Sequence, residues 1–302
     1  MANVVLPALH DNASLSNLSM SPRSKLATQN IITDAWTDGR GIDHNAVESA
    51  IANGPDNSFI DKLWNLPENK DVVDAFMNNK LCRAAAAGDA VALEAYNEYA
   101  VQDYFYLLDH IKFKAGRLTT ILQSDLTNLN SELESLGQAY GYAQDWKKTC
   151  IQELKIDPAR FATEERCIAE LAYANVLQND THSEDWFSLH VIMIGCVYGW
   201  SKLAMELYPT ADRTTPFFDT WIKDNVAVKD GVLHFSDSAV AQSKLTVAIP
   251  LAFLTENDKT WSSLVETNVE YPRLFRTCMR LETALFDSAY EDVKRKKAGG
   301  NL

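Results

Sequence analysis

The chain has little that would tie it to a disulfide framework, a membrane or a nucleic acid. Five cysteines (Cys82, Cys150, Cys167, Cys196, Cys278) are scattered over 302 residues, an odd number without a CxxC pair. That usage argues against a stapled secreted scaffold and for free thiols in a reducing compartment. Long hydrophobic runs are also missing. The longest uncharged stretch, Phe187 to Ser201, contains His190 and two glycines and is shorter than a membrane span. Basic residues are scarce, 28 Lys and Arg against 41 Asp and Glu, for a formal charge of -13. This balance argues against nucleic acid or an anionic membrane as partner. The N-terminus, Met1-Ala-Asn-Val-Val-Leu-Pro7, lacks a basic region followed by an apolar one, so no secretory signal is read and a cytoplasmic location is expected. No internal repeat is evident, and strand signals are too few for a sheet protein.

What is present is a helical body. The apolar fraction of 46% allows a sizeable core. Residues 1–57 read as a partly flexible N-terminal extension, with one helix expected around His44–Ala52; residues 58–302 read as the helical domain. Breakers divide that domain at Pro67, Gly88-Asp89, Gly116, Pro158, Asn179–Ser183 and Pro209. Between them, helical periods predict Val91–Lys114, two helices within Leu118–Leu154, Thr163–Leu177, Glu184–Leu207, Pro216–Asp224 and Tyr271–Lys296. Ile168, Leu171 and Ala172 share one side of the Thr163–Leu177 helix. Val232–Phe235 reads as a short strand, and Ser243–Leu254 as an apolar helix or strand. Residues 226–271 are expected to form a lid or a subunit interface. The whole is an all-α multi-helical bundle. The terminal cluster Lys294-Arg-Lys-Lys297 reads as a solvated last turn complementing the helix dipole.

Polar chemistry interrupts the apolar stripes on three helices. Tyr99, Asp103, Tyr106 and His110 fall on one face of the first long helix, where Leu, Ile and Val would be usual. Such a face borders either a ligand cavity or a satisfied buried Asp–Tyr network. Cys196, in Met193-Ile-Gly-Cys-Val-Tyr-Gly-Trp200, is either a small core residue or a thiol nucleophile given room by Gly195 and Gly199. Glu282 breaks the stripe Phe275, Cys278, Leu285, Ala289 of the last helix. Desolvation there suits a carboxyl for acid/base work; the alternative is an ion pair with Arg276, Arg280 or Arg166.

The order and spacing of these groups resemble the TenA/thiaminase II family, whose bundle is of the haem-oxygenase-like type with a central pocket. Gln102-Asp103-Tyr-Phe-Tyr106 is similar to the family's Gln-Asp-x-x-Tyr signature, and Gly195-Cys196-Val-Tyr-Gly-Trp200 to its Pro-Cys-x-x-x-Tyr context. Glu282 and Phe286 match the Glu that precedes an aromatic on the closing helix. The resemblance runs from Ser58 to Glu291 and implies hydrolysis at an aminopyrimidine, in thiamin salvage or degradation, without metal or organic cofactor. By that analogy Cys196 adds to the ring, Asp103 holds its amidine-like edge, and Glu282 shuttles the proton. Tyr99, Tyr106, His110, Ile168, Trp200, Asn225 and Phe286 would line the substrate site. A homo-oligomer, dimer or tetramer, is implied as well.

Gly195 and Trp200 depart from the family pattern, and alignment places Ile168 and Asn225 where the family has pocket tyrosines. A trio retained inside an altered shell also fits a larger substrate in specialised metabolism, or a non-catalytic small-molecule binder on the same fold. Metal or haem use ranks lower. His110 lies on the right face and Glu170 is placed to point inward, but no Glu-x-x-His pairs stand in register, and His190 reads as a satisfied core histidine.

Overall fold

The computed structural model describes residues 59–121, 126–184, 188–236 and 269–299. Expectations for residues 1–57, for Ser243–Leu254 and for most of 226–271 lie outside them. Among the described residues there are ten α-helices and a single two-stranded hairpin. Three short helices lead in: α1 (Phe59–Asn65), α2 (Lys70–Met77) and α3 (Lys80–Ala86). They are followed by α4 (Ala90–Arg117) and α5 (Leu126–Gln152), then α6 (Arg160–Thr163), α7 (Ile168–Ser183), α8 (Ser188–Val191) and α9 (Trp200–Leu207). The last helix, α10 (Glu270–Lys297), closes the bundle.

Helix α4 is the hub, packed against α3, α5, α7 and α10. Its start is set by Asp89, whose side chain accepts from the Ala92 N–H at 2.8 Å. The preceding Gly88 has φ +78°, a left-handed turn in which a Cβ would also meet the Asp212 carboxylate at 2.7 Å. Gly116 does not end the helix, which continues to Arg117. Leu126–Gln152 is one helix, not two, and Asn179–Ser183 is helical.

The predicted Thr163–Leu177 helix starts later, at Ile168, because Gln102 holds the segment before it extended. Gln102 Nε2 donates to the Glu165 carbonyl at 3.0 Å, and the Cys167 N–H donates to Gln102 Oε1 at 2.8 Å. Cys167 then caps α7 by accepting from the Glu170 N–H. The face carrying Ile168, Leu171 and Ala172 turns outward, with Ile168 87% exposed, while Glu170, Tyr173 and Leu177 point into the core.

The expected Glu184–Leu207 helix is broken. After α8, residues Gly195–Gly199 form a π-helical turn that runs into α9. A second π turn covers Phe218–Ile222. Wider π turns inside helices recur at functional sites. The strand Val232–Phe235 is present and pairs antiparallel with Val226–Lys229. Asp230 and Gly231 join them, both at positive φ (53° and 77°), the conformation a two-residue hairpin turn needs. Phe235 stacks on Tyr198 at 5.2 Å, fastening the hairpin over the second half of the bundle.

Candidate active site

Four elements bring the predicted groups together: α4, α7, the Gly195–Gly199 turn and α10. Glu282, in the middle of α10, is almost fully buried. Its partner is the Tyr173 hydroxyl, which donates to Glu282 Oε1 at 2.6 Å. Of the arginines weighed as partners, Arg276 pairs with Asp71, Arg166 pairs with Asp109 and Glu170, and Arg280 is exposed. Burial pushes the Glu282 carboxyl up to about 8, against hydrogen bonding from Tyr173, and the nearby Asp103 charge adds to the rise.

Asp103 accepts from the Tyr99 hydroxyl at 3.0 Å, so the Asp–Tyr bond expected of a buried network exists. Burial raises its carboxyl to about 7 even so. The Cys196 thiol donates to the Met193 carbonyl at 3.2 Å. Burial raises its pKa strongly, Glu282 adds to the rise, and Tyr106 and Lys114 oppose it. Asp103 and Cys196 are only half-buried, and Tyr142 of α5 is 45% exposed, yet all three acids are strongly desolvated. Asp103 and Cys196 both bear on the Tyr142 phenol.

The π turn places the thiol. It passes so close to α10 that a Cβ at Gly195 would sit 2.7 Å from Cys278 Sγ and 3.1 Å from Glu282 Cγ. The Gly195 N–H donates to Cys278 Sγ at 3.2 Å, a bond that proline, the family's residue here, cannot make.

An aromatic wall backs these groups. Phe286 lies against Tyr99 (centroids 3.7 Å) and Trp200 (4.3 Å), and Trp200 meets Trp221 edge-on at 5.3 Å. Tyr106 packs between Tyr173 (4.7 Å) and His110 (5.8 Å). The Tyr106 hydroxyl is buried without a well-formed hydrogen bond, although Cys196 and Tyr173 are near enough to shift its acidity. Burial, with Lys114 and Arg117 close by, keeps His110 neutral.

One predicted site residue, Ile168, stands apart. Ile168 faces away from the cluster, and Tyr173, five positions on, contributes the phenol that the alignment had assigned to its position. Asn225 turns its amide back to the Trp221 carbonyl at 2.9 Å, closing its own turn. Sequence reasoning missed Tyr142 and the pairing of Tyr173 with Glu282. The spacing Glu170, Tyr173, Leu177 carried the second signal, on the opposite side of the helix from Ile168, Leu171 and Ala172. His190 is a core histidine, paired with Glu132 at 3.2 Å. Among the described residues no three His, Cys, Asp or Glu side chains converge as a metal site.

No family model matches the chain. A TenA family transcription regulator from Silicibacter sp. TM1040 superposes with a TM-score of 0.56 at 17% identity, covering 74% of this chain and 93% of that one. A TenA homologue from Pyrococcus furiosus gives the same TM-score at 15% identity, covering 76% and 99%. The chain therefore has the all-α fold of TenA proteins. In sequence, the thiamine biosynthesis protein THI22 of Saccharomyces cerevisiae is 22% identical over 178 residues. That match spans 58% of this chain and 31% of the yeast protein, so the chain accounts for less than a third of that relative's length.

Proposed function

We propose that the protein is a TenA-like, cofactor-independent hydrolase acting on an aminopyrimidine. The observation that carries this reading is that Asp103, Cys196 and Glu282, from three separate elements, lie near enough to shift one another's acidity beside the wall of Tyr99, Phe286 and Trp200. The TenA fold and the thiamine biosynthesis relative support it.

Asp103, next to the Tyr99 phenol, is suited to the amidine-like edge of the ring, and Tyr106 to orienting it. Cys196 Sγ adds to the electron-poor ring as its proton passes to the Glu282 carboxylate. Glu282 then delivers that proton to the departing amine as the exocyclic C–N bond breaks. Water adds to the exocyclic methylene, giving a proton back to Glu282, and the C–S bond breaks as the thiol is restored. A carboxyl near 8 exchanges protons readily in both directions at neutral pH. The raised thiol pKa means that Glu282 must act in concert with sulfur attack, since little free thiolate exists beforehand.

The test is ammonia release and pyrimidine turnover from an aminomethyl-aminopyrimidine and from thiamin, with Cys196→Ala in parallel. Turnover is expected to fall about a thousandfold or more in the variant; wild-type rates in Cys196→Ala would overturn the reading. A second reading, a non-catalytic binder, draws on the Cys196 hydrogen bond to Met193, which holds the thiol protonated and bonded to the backbone. A ligand bound tightly and recovered unchanged by wild-type protein would favour it.

A further inference from the structure

The polar face of α4 does not stop at His110. Lys114 follows one turn later, and Arg117 three residues beyond, so the face extends about 16 Å along the axis from Asp103 to Lys114. That is longer than a pyrimidine ring with its aminomethyl arm. The far end has a chemistry of its own. Lys114 Nζ donates to Ser135 Oγ of α5 at 2.6 Å, and among the described residues no carboxylate forms an ion pair with it. Arg117, 4% exposed, pairs through one terminal nitrogen with Glu132 at 2.7 Å. Its Nε is buried without a hydrogen-bond partner. Glu132 is shared with His190. Two cations thus stand over one carboxylate, together with a neutral His110.

A partly buried ammonium whose nearby carboxylate, Glu132, is already engaged by Arg117 and His190 is incompletely neutralised, which is costly. Burial already lowers Lys114 to about 8, with Arg117 adding to the effect. The ammonium also lies near enough to Cys196 to favour its thiolate, so the thiol feels Glu282 from one side of the cluster and Lys114 from the other.

We propose that Lys114, Ser135 and Arg117 form a subsite for an anionic group, a phosphate ester or a carboxylate, carried on the distal arm of the substrate. This rests on the aminopyrimidine reading for what occupies the Asp103 end. A lysine supplies a compact charge for such an anion, and the spare Arg117 N–H and the Ser135 hydroxyl supply directed donors. Substrates bearing the anion would be selected over those lacking it.

Calorimetric Kd values for thiamin and thiamin monophosphate on the full chain, wild type against Lys114→Met and Lys114→Arg, test the proposal. The phosphate ester is expected to bind about tenfold tighter than thiamin, a factor worth about 1.4 kcal/mol. Lys114→Met should abolish that preference without changing the Kd of thiamin, and Lys114→Arg should keep it. Equal affinities in the wild type, or a preference that survives Lys114→Met, would overturn the subsite while leaving the aminopyrimidine reading intact. If neither ligand binds, the aminopyrimidine reading has failed, and inorganic phosphate decides the subsite by phosphorus NMR. Line broadening that requires Lys114 upholds it, and none overturns it. A carboxylate-bearing analogue run beside the phosphate ester separates the two anion types.

Discussion

A methyl group at position 195 has nowhere to go, because Cys278 Sγ and Glu282 Cγ both lie inside its contact distance. The neighbouring sulfur is short and fully buried, so it cannot swing away as a flexible side chain would. Gly195→Ala is expected to cost about 1–3 kcal/mol, the range for overpacking a well-packed core, as read by denaturant unfolding. The strain falls on Glu282 and on the turn that carries Cys196, so turnover should fall further than stability alone predicts. An alanine variant with wild-type stability would show that α10 yields at this point. The same residue accounts for one departure from the TenA pattern, since the N–H that glycine keeps is the one Cys278 accepts.

At the scale of elements, α10 carries both the acid and the wall behind it. Phe286 lies one turn beyond Glu282, fully buried, with Tyr99, Trp200 and Trp221 around it. Phe286→Ala should cost about 3–5 kcal/mol and loosen the aromatic wall. Chemical unfolding followed by tryptophan fluorescence would check this, and a loss below about 1 kcal/mol would mean the wall closes over the gap. Much of this architecture was legible in the chain. Long helices with a 3.6-residue period gave α4 and α10 to within a few residues, and the polar interruptions at Asp103, Cys196 and Glu282 marked the elements that meet. What was not legible depends on contacts between elements. The start of α7 is set by Gln102 from another helix, and the face that α7 turns inward is the one with Glu170 and Tyr173, not the one with Ile168. The π turn at Gly195–Gly199 answers to the proximity of α10, which no local pattern encodes. The Asp230-Gly231 turn did carry a local signal, a DG pair between Val226–Lys229 and Val232–Phe235, and it identifies the first strand as well as the second.

For the whole molecule, the raised carboxyls of Asp103 and Glu282 make stability depend on pH in a definite direction. In the folded chain Asp103 titrates at about 7 and Glu282 at about 8, whereas unfolded carboxyls ionise near 4. Between those limits these two carboxyls hold more protons in the folded state than in the unfolded one, so their contribution to stability falls as pH rises from about 4 to about 8, while His110, kept neutral in the fold, works against them in the lower part of that range. Glu282→Gln keeps an acceptor for Tyr173 and removes one of the titrations. Its unfolding free energy should decline less steeply, by up to about 1.4 kcal/mol per pH unit within that window. A slope equal to that of the wild type would show that Glu282 ionises normally. The close fit of Gly195 and Cys278 also links two codons 83 positions apart. With less than a methyl group of room between them, bulk gained at one is tolerated only where bulk is lost at the other. Variation beside the thiol is therefore governed from the last helix, and the two sites drift as a pair or not at all.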